Sequence, residues 1–139
     1  MIDIENLVFN TVATALRSEF AGIYVAGEYV DAPGSFPAVT LTESSNTIVQ
    51  RMRTASAIEN GVAVMYEVNV YSNKKSGKKA EAKVILAAVD RKMLDMGFTR
   101  TFSNPVPNVR DATIYRITAR YEAVVLPEGD NSYRIYTNY

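Results

Sequence analysis

The chain has 139 residues, with no cysteine, no histidine, and 15 basic residues against 15 acidic ones. Disulfides, zinc sites built on Cys or His, thiol nucleophiles and Ser-His-Asp triads are thereby excluded, while a carboxylate-only Mg²⁺ or Ca²⁺ site stays open. A chain that grips nucleic acid usually carries a basic excess, which zero net charge denies here, and 47% hydrophobic with 22% charged residues is an ordinary composition for one globular domain.

No apolar run approaches the roughly 18 residues of a membrane span. The acidic start Met1-Ile-Asp-Ile-Glu also lacks the charged-then-apolar pattern of a signal segment. The expectation is a soluble protein made in the cytoplasm. Asp3 is a good helix cap, and Ile4, Leu7, Val8, Val12, Leu16 and Phe20 keep helical spacing after it. They predict a first helix over about residues 4–20, ending near Gly22. Ile23 to Tyr29 reads as a short strand, and the turn-rich stretch from Asp31 to Pro37 follows. Pro37 then opens a second strand in which Val39 and Leu41 alternate with Thr40 and Thr42.

Ser44 to Gly61 (SSNTIVQRMRTASAIENG) mixes a few apolar residues with Ser, Thr, Asn and Gly. It reads as a long hairpin arm or loop, a length uncommon in a compact domain unless it has a task. Val62, Val64, Tyr66, Val68 and Val70 share one side of the next strand, up to Tyr71. Ser76 to Gly97 is an amphipathic helix, capped by the Ser76 hydroxyl and ended by Gly97. Its apolar face carries Ala82, Ile85, Leu86, Val89, Met93 and Met96. A helix with one apolar stripe and a strand with one apolar side make the centre of the fold.

Phe98 to Phe102 predicts a short strand, and two prolines stiffen the turn from Ser103 to Asn108. The longest strand is predicted over Ala112 to Leu126. Thr113, Tyr115, Ile117, Ala119, Tyr121, Ala123 and Val125 take one face, with Arg116, Thr118, Arg120 and Glu122 on the other. Pro127 to Ser132 reads as a linker, and Tyr133 to Tyr139 as a tail strand or a flexible end. The predicted architecture is α+β: a single, mostly antiparallel sheet with both helices on its dry side. Residues 1–139 form one domain in this reading, with 44–61 as arm and 127–139 as tail.

Candidate chemistry is sparse. Lys74, Lys75, Lys78 and Lys79 form a basic cluster, either a solvated turn or a contact to an acidic partner surface or DNA. Gly77-Lys78 lacks the upstream glycine of a P-loop, and Lys79 stands where Ser or Thr belongs. Ser72 to Lys75 and Ser76 to Lys79 both fit Ser-x-x-Lys without the companion motifs of acyl enzymes. Glu43, Glu59, Glu67, Glu122 and Asp111 are scattered, with no pair at a diagnostic spacing. Arg116 and Arg120, with Thr118 and Glu122, form either an exposed strand face or one covered by a neighbouring copy. Gln50, Arg51, Met52 and Arg53 in the arm read either as a mobile polar loop or as residues with an interface or lumen-facing role.

Three segments together carry a resemblance: Met65 to Lys79 (MYEVNVYSNKKSGKK), Gly97 to Phe102 (GFTRTF), and Asn104 to Arg116 (NPVPNVRDATIYR) running on to Tyr121. They resemble tail completion, tail terminator or minor capsid proteins of long-tailed phages and prophages of Gram-positive bacteria. The likeness spans about residues 36–125 and does not reach the C-terminal tail. It implies a non-enzymatic, cofactor-free virion protein with a compact fold of a sheet and packed helices, closing into a homo-hexameric ring on the tail tube. It further implies partners in the tail tube protein and the head–tail connector, DNA met only by passage through the ring, and assembly in the host bacterial cytoplasm. A neck or head-completion protein is the alternative within that class, and a nucleic-acid-binding module using Lys74 to Lys79 the alternative outside it. No catalytic residue carries over from the resemblance.

Overall fold

In the computed structural model, which describes residues 1–50, 61–108, 111–129 and 132–136, strand alternation builds one six-stranded sheet. In chain order come α1 (Glu5–Glu19), β1 (Tyr24–Ala26), β2 (Ala38–Ile48), β3 (Val62–Ser72), α2 (Lys78–Met96), β4 (Thr99–Pro105), β5 (Tyr115–Gly129) and β6 (Ser132–Tyr136). The lateral order is β1-β2-β3-β5-β4, and β6 also pairs with β5. Only the β1–β2 pair is parallel among these ladders. Both helices lie on one face, so the α+β architecture read from the sequence is the one observed.

That face is apolar because period-two alternation in the strands meets a helical stripe. Val62, Val64, Tyr66, Val68 and Val70 of β3 are buried beside Ile117, Ala119, Tyr121, Ala123 and Val125 of β5. Above them lie Val8, Val12, Ala13 and Leu16 of α1, with Ala82, Ile85, Ala88, Val89 and Met93 of α2. Leu86 and Met96, expected on the stripe of α2, only flank this core, and Ala88 joins it. Leu7 departs from the expected face of α1 and is 51% exposed. No helix among the described residues is long and apolar enough to cross a membrane.

The helix ends differ in part from expectation. Asp3 precedes the cap position, held by Ile4 without a side-chain bond, yet its Oδ1 accepts the Glu5 N–H at 3.0 Å. Ser76 does not cap α2. Gly77 takes that position in the left-handed conformation (φ 87°), and Ser72 Oγ instead donates to Glu81 Oε1 in the first turn at 2.6 Å. Gly97 ends α2 as expected, at φ 108°. Its N–H reaches the Leu94 carbonyl and the Phe98 N–H the Met93 carbonyl, the paired closure that only a residue tolerant of positive φ accommodates easily. A Cβ there would lie 2.7 Å from the Ile135 carbonyl oxygen, so β6 crosses against the end of α2 at glycine-only range.

Strand limits moved as well. β1 keeps three of the seven residues expected of it. β2 runs on to Ile48, and Val49 N–H reaches the Gly61 carbonyl at 3.0 Å, so the first residues of the expected arm pair with β3. Residues 51–60, with Arg51, Met52 and Arg53, lie outside the described residues. β4 runs through Ser103 and Asn104 to Pro105, where a turn was expected. β5 starts at Tyr115, not Ala112, and continues through Pro127 to Gly129. The expected linker is therefore largely strand, and β6 pairs with it from Val124 to Gly129. Since β3 occupies the other margin of β5, β4 and β6 share one margin end to end.

Candidate assembly surfaces

On the face without helices, β3 and β5 hold polar residues that satisfy one another. Asn69 and Thr118 are directly opposite and buried. The Asn69 Oδ1 accepts from Thr118 Oγ1 at 2.6 Å and from Arg116 Nε at 2.9 Å. The Arg116 guanidinium also lies over two rings, 5.6 Å from the Tyr29 centroid and 5.7 Å from that of Tyr71, within cation–π range. Tyr71 donates to the Val30 carbonyl at 3.0 Å, and burial pushes its phenol up from its ordinary value. Together these contacts fasten Tyr29 and Val30, in the segment after β1, to this face. Further along, Arg120 Nε donates to Glu67 Oε1 at 3.3 Å and its guanidinium lies 5.0 Å from the Phe102 centroid.

On the covered face, two tyrosines carry hydroxyls out of the core to carboxylates. Tyr66 and Tyr121 are register partners on β3 and β5. Tyr66 Oη donates to Glu43 Oε1 at 3.1 Å, and its ring meets Phe98 edge-on, with centroids 5.4 Å apart. Tyr121 Oη donates to Asp90 Oδ1 at 2.8 Å, and Arg100 Nη1 donates to the same oxygen at 2.7 Å. Burial is the first cause pushing both phenols above their ordinary value, with the neighbouring carboxylate adding to it.

Glu43 belongs to a cluster that spacing did not reveal. Carboxylate oxygens of Asp3, Glu5 and Glu43 lie within 4.8 Å of one another. The Glu43 N–H donates to Glu5 Oε2 at 3.1 Å, and Asn46 Nδ2 donates to the Ile2 carbonyl at 2.9 Å, which draws the start of α1 over β2. Burial raises the Glu43 carboxyl from its ordinary value; Glu5 and Asp3 raise it further by repulsion, against the Tyr66 hydrogen bond. The contact joins residues 38 apart, so no local motif announces it.

The residues singled out from sequence fall in three places. Arg116 and Arg120 share the helix-free face. Gln50 is exposed beyond the end of β2, and Arg51, Met52 and Arg53 lie outside the described residues. Lys74, Lys75, Lys78 and Lys79 occupy the β3–α2 junction, where Lys78 Nζ donates to the Thr113 carbonyl at 3.3 Å. The eleven residues of β3 separate these ends, about 33 Å at the usual rise per strand residue. Of the two Ser-x-x-Lys serines, Ser72 is buried against Glu81 and Ser76 is exposed.

Two open grooves flank the helical layer. One, about 490 Å³, lies between α2 and β4 and is lined by Lys83, Leu86, Asp90, Arg100, Ser103 and Tyr115 among others. The other, about 450 Å³, lies at the opposite end of the sheet between α1 and β1, with Glu5, Phe9, Tyr24, Glu28 and Val30 in its lining. This architecture has a counterpart. A chain of the virion of a native gene transfer agent particle has the same fold, with TM-score 0.55 and 19% identity over 85% of this chain and 93% of that one. No family model and no curated protein matches the sequence.

Proposed function

We propose that this chain is a structural component of a phage-like virion, acting at the head–tail joint as a tail terminator or tail completion protein. The observation that carries the reading is the fold shared over nearly the whole of both chains with a component of the gene transfer agent virion. The sequence resemblance over residues 36–125 points the same way, and the absence of His and Cys removes the commonest reactive side chains. The chain acts by shape, without catalysis or a cofactor.

The mechanism is geometric. A tube elongates because each layer presents the surface that accepts the next. A terminator matches the last layer on one side and offers a different surface on the other, so elongation stops and the head connector has something to bind. Copies of the chain close into a ring, taken as a homo-hexamer, around the path of the DNA. In this arrangement the arm with Gln50, Arg51, Met52 and Arg53 reaches a neighbouring copy, and that copy covers the face holding Arg116 and Arg120. Lys74, Lys75, Lys78 and Lys79 meet an acidic partner surface on the tail or connector side.

Deletion of the gene in cells producing the particle tests this. The expected result is tails of irregular length and heads left unjoined, seen by negative-stain microscopy and restored by the gene in trans. Heads that fill and then leak DNA, beside tails of normal length, would move the chain to the capsid side of the joint. Normal infectious particles would overturn the reading.

A further inference from the structure

The lateral strand order leaves the sheet two unlike ends, β1 and β4. At the β4 end, the groove against α2 has Lys83 and Arg100 on its rim. Asp90 also lies there, but Arg100 offsets its charge through a 2.7 Å ion pair, so the margin is positive overall. At the β1 end, the charged residues lining the groove are Glu5 and Glu28. Asp3 and Glu43 crowd beside Glu5, making that margin more negative still. Both grooves also offer apolar surface: Leu86, Tyr115 and Pro105 at one end, Phe9, Val30 and the exposed Tyr24 at the other.

We propose that these two ends are the two halves of one contact between copies of this chain, the β4 end of each copy receiving the β1 end of the next. The proposal rests on the assembly reading above and adds to it a second pair of surfaces between neighbouring copies. Because the joined patches differ, the contact is heterologous, and repeating it gives a closed ring or an open helix, never a two-fold dimer. Opposite charge on the rims sets direction and rejects the β4-to-β4 and β1-to-β1 encounters. Recognition runs through side chains and not through a continued sheet. β4 has an irregularity between Arg100 and Phe102, and Pro105 at its end, both of which hinder strand addition, while β1 has three residues to give.

The chain holds no cysteine, so a cross-link can be placed without interference. The variant Tyr24→Cys/Ser103→Cys, oxidised at high protein concentration, is expected to give a ladder of trimers and larger species. Each single variant should stop at dimers. Lys83→Glu alone and Glu28→Lys alone are each expected to weaken self-association by about tenfold, as a rim charge reversal does. An equimolar mixture of the two should recover it, because each mutated margin then faces its opposite. Neutral variants, Lys83→Gln and Glu28→Gln, with thermal melts, show whether any loss comes from misfolding. A double-cysteine ladder no longer than the single-cysteine controls, or a mixture no better than its components, overturns the proposal. If light scattering still shows the native chain assembling, the margins are wrong and self-assembly stands. A chain monomeric throughout overturns the proposal too, leaving the virion reading to the gene deletion.

Discussion

The two faces of the sheet use the same strands and solve burial in different ways. Toward the helices, β3 and β5 present Val, Ile, Ala and Tyr, and stability comes from apolar area removed from water. Toward the other side, the same strands present Glu67, Asn69, Arg116, Thr118 and Arg120, which hold one another by directed bonds. Asn69 and Thr118 are as buried as many core residues. Their burial is tolerated because the Asn69 carbonyl oxygen and the Thr118 hydroxyl satisfy one another; an unpaired group would cost more than its bond contributes. The covered face therefore fails gradually as atoms are removed, and the bare face fails abruptly when an acceptor is lost.

Substitutions on each side sharpen that contrast. Ile85→Ala, under α2, is expected to cost about 3–4 kcal/mol, the usual range for a fully buried aliphatic truncation. A denaturant titration showing less than about 1 kcal/mol would mean that α2 does not bear on the sheet as described. Asn69→Ala removes few atoms yet strips the acceptor from both Thr118 and Arg116, and should cost about 2 kcal/mol. Asn69→Asp, which keeps the acceptor, should retain much of that stability; equal losses in the two variants would break the distinction between the faces.

Tyr121→Phe tests the boundary between the two modes, since the ring packs in the core while its hydroxyl serves Asp90. A loss of about 1 kcal/mol is expected, because Arg100 still pairs with Asp90. The smallest effect belongs to Glu43. Its folded-state carboxyl is raised by burial and by the carboxylates of Glu5 and Asp3. The folded state thus holds the proton more tightly than the unfolded chain, and stability falls as pH rises through the window just above the ordinary carboxylate value. Glu43→Gln, which still offers Tyr66 an acceptor, should remove that slope, worth about 0.5 kcal/mol or less for a group this near the surface. Urea midpoints taken from pH 4.5 to 7 would check it; parallel curves for variant and native chain would assign the slope to other carboxylates.

The covered face was legible from sequence because it rests on periodicity, which needs only near neighbours. Val62 to Val70 and Ile117 to Val125 alternate, Ile85, Val89 and Met93 recur at helical spacing, and Gly97 marks a helix end wherever it stands. Other features arise from register between distant segments. Nothing near Glu43 shows that Glu5 will lie above it, and nothing near Arg116 shows that Tyr29 will stack on it. Ser76 misled because a hydroxyl caps a helix only where the backbone places it, and here Gly77 makes the turn. Pro127 misled in another way. Its missing N–H signals a break in isolation, but β5 carries it as a strand residue opposite Tyr133. The charged rims of the two grooves were beyond pattern reading altogether, since each sets side chains of a helix beside those near the strand that follows it, a juxtaposition fixed by packing and not by spacing.

The placement of β6 has a practical corollary. Because it continues the line of β4 along one margin of β5, a chain shortened after Gly129 would leave the stretch from Val124 onward without the ladder that β6 supplies. Those freed amides and carbonyls are the template on which stray strands from other molecules add. The same cut would take away the carbonyl resting on Gly97, loosening the last turn of α2. The C-terminal strand is thus a selvage for the sheet. Trimming it to obtain a tidier fragment would produce sticky material whose clumping has nothing to do with the ordered contacts between intact copies.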